Sequence, residues 1–432
     1  MGQSHRSRIE RQLTETLGDV AVLQRQTIRV LQSGVVPAGL AMTAGFSACA
    51  LLGLEITGSE TKGALAAVCL STGGSLAGLP LGLVMARRGR RVGLTVAYAI
   101  GSLGALLGLT AAVFSVYPLL IAGMLMIGCG QAGNLAARYA GADLATDANR
   151  ARSISLVMWA TTVGSVLGPT LGLGMSSIIG GDNGAARFAP AYVLAAVLFL
   201  VASASIHLRL RPDPLQVAVG NEHGRVQAPS LAALKGVIAH PMARLAVIGM
   251  MLSQGVMVGT MTVAPLHMRD GGQANTVIGL MISLHIVGMY ALSPLIGRIT
   301  DRIGGPIVVG VGAIISAVGA EIASHTDAGH ATGHIVGLLL IGVGWCCAVV
   351  AGAALLTSAF APEDRVASQA TSDVMMTAMG ALAGISAGLA VEERSFHDVA
   401  HWAMLVSIGL AVFVAIAVVQ ASRVRETEIT TH

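Results

Sequence analysis

Apolar and polar positions in this chain come in blocks rather than in fine alternation. Apolar runs of roughly 18–25 residues, the length a helix needs to cross a bilayer, recur twelve times. They lie near 32–54, 63–86, 92–114, 118–138, 153–178, 189–208, 243–267, 274–297, 304–324, 334–360, 367–390 and 399–420. Between the sixth and seventh runs lies the longest polar stretch, 209–244, which predicts a linker between two halves. The pattern therefore predicts an all-α polytopic membrane protein with twelve transmembrane helices in two pseudo-symmetric six-helix bundles. Its expected divisions are a tail over 1–31, a bundle over 32–208, a linker over 209–242, a bundle over 243–420 and a tail over 421–432.

Composition agrees with a membrane interior. Of 432 residues, 54% are hydrophobic and 11% are charged, and mean hydropathy is +0.74; a soluble domain carries about 25% charged residues. Aromatics are only 3% and glycines number 55, which suits close packing of membrane helices through small residues. Orientation follows from the basic residues. Of 26 lysines and arginines, all but Lys62, Arg187, Arg269 and Arg394 fall on the side of the linker and termini. The positive-inside rule then predicts that both termini are cytoplasmic. The polar first 30 residues argue against a secretory signal peptide.

Several function classes lose support. Cys49, Cys69, Cys129, Cys346 and Cys347 all lie in apolar runs and make no C-x-x-C, so neither a disulfide framework nor a zinc site is indicated. Neither Lys62 nor Lys235 follows a G-x-x-x-x-G, so no Walker A loop is present. Transport should then draw on a gradient or on consumption of the substrate inside the cell. No H-E-x-x-H or nucleophile–base constellation suggests an enzyme, no permanently bound cofactor is expected, and neither is a nucleic-acid partner.

The two halves repeat a loop. GLVMARRGRR (82–91) follows the second run and GRITDRIGG (297–305) follows the eighth, with their first glycines 215 positions apart. These segments resemble the signature G-x-L-x-D-R-x-G-R-R of the major facilitator superfamily. Gly297, Asp301, Arg302 and Gly304 match it in the second copy. Gly82, Arg87, Gly89 and Arg90 match it in the first, together with Arg91, but Ala86 replaces the acid. The resemblance implies two bundles that rock about a midplane site. It also implies that these loops latch the halves on the cytoplasmic side, with a weaker latch in the first copy. GSVLGPTLGLG (164–174) resembles the antiporter motif of drug/proton exchangers and equally reads as a hinge at Gly168 and Pro169. The arginine such exchangers carry in the fourth span is replaced by Met124.

Soft donors sit where a substrate would pass. Residues four and seven apart share a helix face, so Met250, Gln254, Met257, Met261 and Met268 form one stripe of the seventh span. Met281, His285 and Met289 form one stripe of the eighth. At 1.5 Å per residue, Met257 and His285 fall about 15 Å from the outer ends of their helices, near the bilayer midplane. Thioethers and imidazole suit copper, whereas methionine also fills cores. A histidine at bilayer depth is costly and usually functional.

The pair Met257-x-x-x-Met261 and His285-x-x-x-Met289 resembles the M-x-x-x-M and H-x-x-x-M motifs of CcoA-type copper importers, a facilitator subfamily that supplies copper for haem–copper oxidase assembly in the bacterial inner membrane. That resemblance implies copper as the transported substrate, bound by Met257, Met261, His285 and Met289; His267, Met268 and Met281, nearer the outer mouth, are accessory candidates from their positions alone. It also implies a downstream copper chaperone. A monomer in the lipid bilayer is expected. The subfamily also contains members resembling riboflavin importers, and drug efflux stands as a further alternative. SHTDAGHATGH (324–334) either concentrates metal at the entrance or is a solvated loop. Asp373 is the candidate for proton coupling or, equally, for inner-gate pairing.

Overall fold

A computed structural model describes residues 2–179, 184–220 and 226–430; the side chains of 2–18 and 421–430 lie outside the described set, as does the middle of the linker. The described residues form helices with no strand. Eleven of the segments are long and apolar enough to cross a membrane, and one of them is a double crossing. That helix, Glu60–Phe114, has 55 residues. At 1.5 Å per residue it would extend about 80 Å, more than twice the bilayer core. Gly89 breaks it with φ 88° and ψ 172°, so the second span ends and the third begins there. Twelve crossings result.

Gly304 performs the same turn in the second half, with φ 92° between Ser293–Ile303 and Gly305–Ser324. Both signature glycines thus occupy a backbone region that side chains with a Cβ avoid, at equivalent places in the repeat. Asp213 from the linker lies over Gly89 and accepts from the Arg91 amide at 2.8 Å, capping the start of the third span.

Polar residues ahead of the first span belong to it structurally, because the helix Gly2–Thr57 is continuous. Buried Gln24 donates to the Gly141 carbonyl at 2.6 Å, eight residues before the apolar run begins. The linker carries two short helices, Pro214–Val219 and Leu231–Ala239.

The eighth span is broken. Asn275–Tyr290 and Ser293–Ile303 are separate helices, because Pro294 has no N–H to give the Tyr290 carbonyl. The Ser293 hydroxyl stands 2.6 Å from that carbonyl and 3.0 Å from the Ser155 carbonyl in the other half. The first and fifth spans approach closely: Thr43 Oγ1 lies 3.0 Å from the Gly164 carbonyl, and a Cβ on Gly164 would meet the Gly39 backbone at 2.7 Å.

Candidate functional site

The hydrogen bonds that join the two halves lie in the linker-side part of the helices. Asp301 accepts from the Ala151 amide at 2.9 Å and the Arg152 amide at 3.0 Å, so an acid of the eighth span caps the fifth. A carboxylate at a helix N-terminus satisfies donors that the helix itself cannot. The first copy has Ala86 at this place and joins the halves through Arg90 instead. Buried Arg90 grips Asp143 through Nε at 2.9 Å and Nη2 at 3.2 Å, and reaches Gln369 of the eleventh span at 2.6 Å. Arg150 pairs with Asp147 and donates to Ser358 Oγ at 2.6 Å. The linker-side entrance is shut in this structure.

The small residues explain the closeness. A Cβ on Gly82 would meet the Ala370 side chain at 2.6 Å, and one on Gly297 would meet the Ala151 carbonyl at 2.9 Å. Arg87 and Arg302 are exposed and stand outside these contacts.

Deeper between the halves lies a polar cluster that the spacing of residues in the sequence did not bring together. Arg138 Nη2 contacts Asp373 Oδ1 at 2.5 Å, and the Tyr139 hydroxyl lies 3.4 Å from the same oxygen. Beside them a pocket of about 20 Å³, lined by Gly78, Arg90, Tyr139, Gln369 and Asp373, has room for one water. Arg138 Nε and Nη1, Gln131 Oε1 and Asn134 Nδ2 are buried without partners. In the second half, Trp345 Nε1 donates to Gln254 Oε1 at 2.6 Å, and the Trp345 ring lies edge-on to Tyr290 with centroids 5.5 Å apart.

The soft donors are distributed over two apolar clusters. Met281, His285 and Met289 share a buried face of the eighth span, turned towards the tenth. There a Cβ on Gly342 would meet the His285 carbonyl at 2.5 Å. His285 is 1% exposed and its Nδ1 is 2.6 Å from the Leu338 carbonyl. A carbonyl only accepts, so Nδ1 carries the proton and Nε2 keeps its lone pair. That Nε2 is buried and has no partner.

Met257 is buried in one cluster with Met289, while Met261, Met268 and Met281 belong to a second cluster towards the face opposite the linker. The seventh and eighth spans each pack against the tenth and touch each other little. Gln254, on the predicted methionine stripe, is engaged by Trp345. Among the described residues no group of three or more His, Cys, Asp or Glu is arranged to hold one metal ion.

Gly168 and Pro169 lie inside the helix Arg150–Ile179. A Cβ on Gly168 would run into the Thr43 side chain, so the glycine permits the close approach of the first span.

Two bundles, a glycine-broken loop repeated in each, and a polar cluster between them define a membrane transporter. The Major Facilitator Superfamily model matches residues 31–272 and 246–430, and the chain belongs to that family. It is 32% identical over 386 residues to the uncharacterised MFS-type transporter YddS of Bacillus subtilis (strain 168), covering 87% of this chain and 86% of that one. It is 27% identical over 372 residues to the riboflavin transporter RfnT of Brucella anthropi, covering 83% and 87%. Among solved structures, the human organic anion transporter MFSD10 superposes with a TM-score of 0.76 at 14% identity, covering 90% of this chain and 99% of that one. That likeness concerns the fold.

Proposed function

We propose that this chain is a secondary transporter that imports copper by alternating access, with Met257, Met261, His285 and Met289 as the soft donors along the path. The observation that carries the reading is His285. Its Nδ1 is held by the Leu338 carbonyl, its Nε2 lone pair is bare, and Met281 and Met289 lie one turn away on the same buried face. Anchoring of one imidazole nitrogen by a carbonyl is the arrangement that orients a metal-binding histidine. The ligands are neutral, so an empty site buries no fixed charge.

On this reading the protein works in a bacterial plasma membrane with both termini in the cytoplasm, as the basic residues of the linker side favour. Copper delivered inside would pass to a chaperone and on to oxidase assembly. The test is uptake of radiolabelled copper by proteoliposomes. Wild type should accumulate the ion and His285→Leu should not; equal uptake by protein-free liposomes overturns the reading.

A second reading is favoured by a separate observation. The bare Arg138 nitrogens stand between the halves, Gln131 and Asn134 share the face of the same span, and the second half adds the Trp345–Tyr290 pair with Gln254. Such a set would hold a planar organic molecule with hydrogen-bonding edges, and the likeness to a riboflavin transporter makes a flavin the first compound to try. Uptake of labelled riboflavin in the same vesicles separates the two.

A further inference from the structure

Three histidines outside the central path meet at the face opposite the linker. His267 closes the seventh span, His334 opens the tenth and His397 opens the twelfth. Their rings gather around Phe396: His267 stacks on it with centroids 4.6 Å apart, and His334 lies edge-on at 5.4 Å. His267 is also 5.2 Å from His334 and 5.1 Å from His397, ring centre to ring centre.

The ring nitrogens are poorly satisfied. His334 has 0% exposure and neither of its ring nitrogens makes a hydrogen bond of ordinary geometry. The Nε2 of His267 is likewise buried without a partner. Buried polar groups without partners are rare because their desolvation is not offset. His397 differs, since its Nδ1 lies 2.7 Å from the Ser324 carbonyl.

Two adjacent imidazoles with bare lone pairs are a ligand pair. With a metal–nitrogen bond of about 2 Å, two rings sharing an ion stand roughly 5–6 Å apart, centre to centre. The 5.2 Å separation of His267 and His334 lies in that range. Asp270 and Asp327 lie within electrostatic reach of His267 but are exposed, and neither carboxylate is bonded to His267 or His334; calcium or magnesium would take such oxygen ligands rather than imidazoles. Met268 and Met281 are buried in the apolar cluster that contains Phe396. At that separation the two rings would meet an ion at a bent angle, leaving room for a further neutral donor, and a soft monovalent ion needs no charged ligand. His334 also stands one helical turn before Leu338, the residue whose carbonyl anchors His285.

We infer that His267 and His334 form an outer capture site for Cu(I), from which the ion passes inward to His285. The inward step rests on the copper-import reading; the site itself does not. The test is titration of Cu(I) into the full-length protein in detergent against a chromophoric chelator. His334→Phe keeps an aromatic ring edge-on to Phe396 while removing both nitrogens.

Wild type should bind at least one equivalent that His334→Phe loses or holds at least tenfold more weakly, and that His285→Leu retains. His267→Phe repeats the test through the neighbouring helix should His334→Phe not fold. X-ray absorption of the loaded wild type should show nitrogen ligands. Full wild-type stoichiometry in a folded His334→Phe or His267→Phe, or an all-sulfur spectrum, overturns the capture site. Vesicles that take up no copper, combined with loss of binding in His334→Phe, overturn the import reading and leave the capture site standing.

Discussion

Arg138 of the fourth span and Asp373 of the eleventh meet across the two halves at 2.5 Å, with the Tyr139 hydroxyl 3.4 Å from the same carboxylate oxygen. Two of the arginine nitrogens remain bare. The two helices cannot separate on the linker side without breaking this pair, and a proton on Asp373 would weaken it. A buried ion pair adds little stability against an apolar replacement, but removing one partner strands a charge, at about 3–5 kcal/mol.

Asp373→Asn should therefore lower the melting temperature in detergent and abolish uptake driven by a pH gradient. The double variant Arg138→Met with Asp373→Leu should recover the melting temperature and remain inactive. Normal gradient-driven uptake by Asp373→Asn would show the pair to be structural only.

The Asp301 carboxylate caps the fifth span from the opposite half through two amide hydrogen bonds. Loss of an N-terminal cap costs about 0.5–2 kcal/mol. Here the cost falls only on the state in which the linker side is closed. Asp301→Ala should shift the population towards opening on that side, several-fold, with little change in the amount of folded protein. Distances between spin labels on the linker-side ends of the fifth and eighth spans should lengthen. An unchanged distance distribution would mean that the cap does not hold the gate.

The architecture was largely legible from the sequence because a bilayer imposes one rule on every span. Blocks of apolar residues had to be helices, and the paired glycines Gly89 and Gly304 marked the sharp turns before the third and ninth. Helix ends were less legible. Gln24 extends the first span below its apolar run, since buried polar side chains that find a carbonyl leave no hydropathy signal. Pro294 was visible, but the split of the eighth span depends also on the Ser293 hydroxyl replacing the lost donor. The candidate site was legible only along single helices. The face shared by Met281, His285 and Met289 follows from a four-residue period. The Arg138–Asp373 pair joins residues 235 positions apart, and the knot of His267, His334 and His397 joins three helices; no local pattern encodes either.

Gly164 and Gly168 face the first span in different ways, and the difference predicts opposite genetics. A Cβ on Gly168 would meet chiefly the Thr43 hydroxyl, which can be removed, with Thr43 Cβ at 2.9 Å and the Leu40 carbonyl at 3.0 Å crowding it less. A Cβ on Gly164 would meet the backbone of Gly39 and Leu40 at 2.7 Å, which cannot. Gly168→Ala should reduce folded protein in the membrane and recover in part when combined with Thr43→Ala. Gly164→Ala should not recover in the same background. Gly409→Ala, where no described atom lies within 4 Å of the added Cβ, should be neutral. Fluorescence-detected size exclusion of tagged variants reads all three, and rescue of Gly164→Ala by Thr43→Ala would sink the account.

His285 and Met257 separate ligation from packing. Met257 is 8% exposed in an apolar cluster, where leucine of nearly equal volume should be tolerated at under about 1.5 kcal/mol. If its sulfur is a donor, Met257→Leu folds normally and loses copper uptake; if it only fills space, uptake persists. His285 gives a sharper division, because Nδ1 is already occupied by the Leu338 carbonyl and only Nε2 can do chemistry. His285→Asn can keep a donor to that carbonyl without offering a soft ligand. It should melt close to wild type and fail to transport copper. His285→Met supplies a soft donor but leaves the Leu338 carbonyl without its partner, at about 1–3 kcal/mol. It should be less stable than His285→Asn yet retain part of the uptake. That inverse order of stability and activity is not expected of a residue that only packs. Uptake that instead follows melting temperature across the series would remove His285 from the copper path and leave the riboflavin reading as the one to pursue.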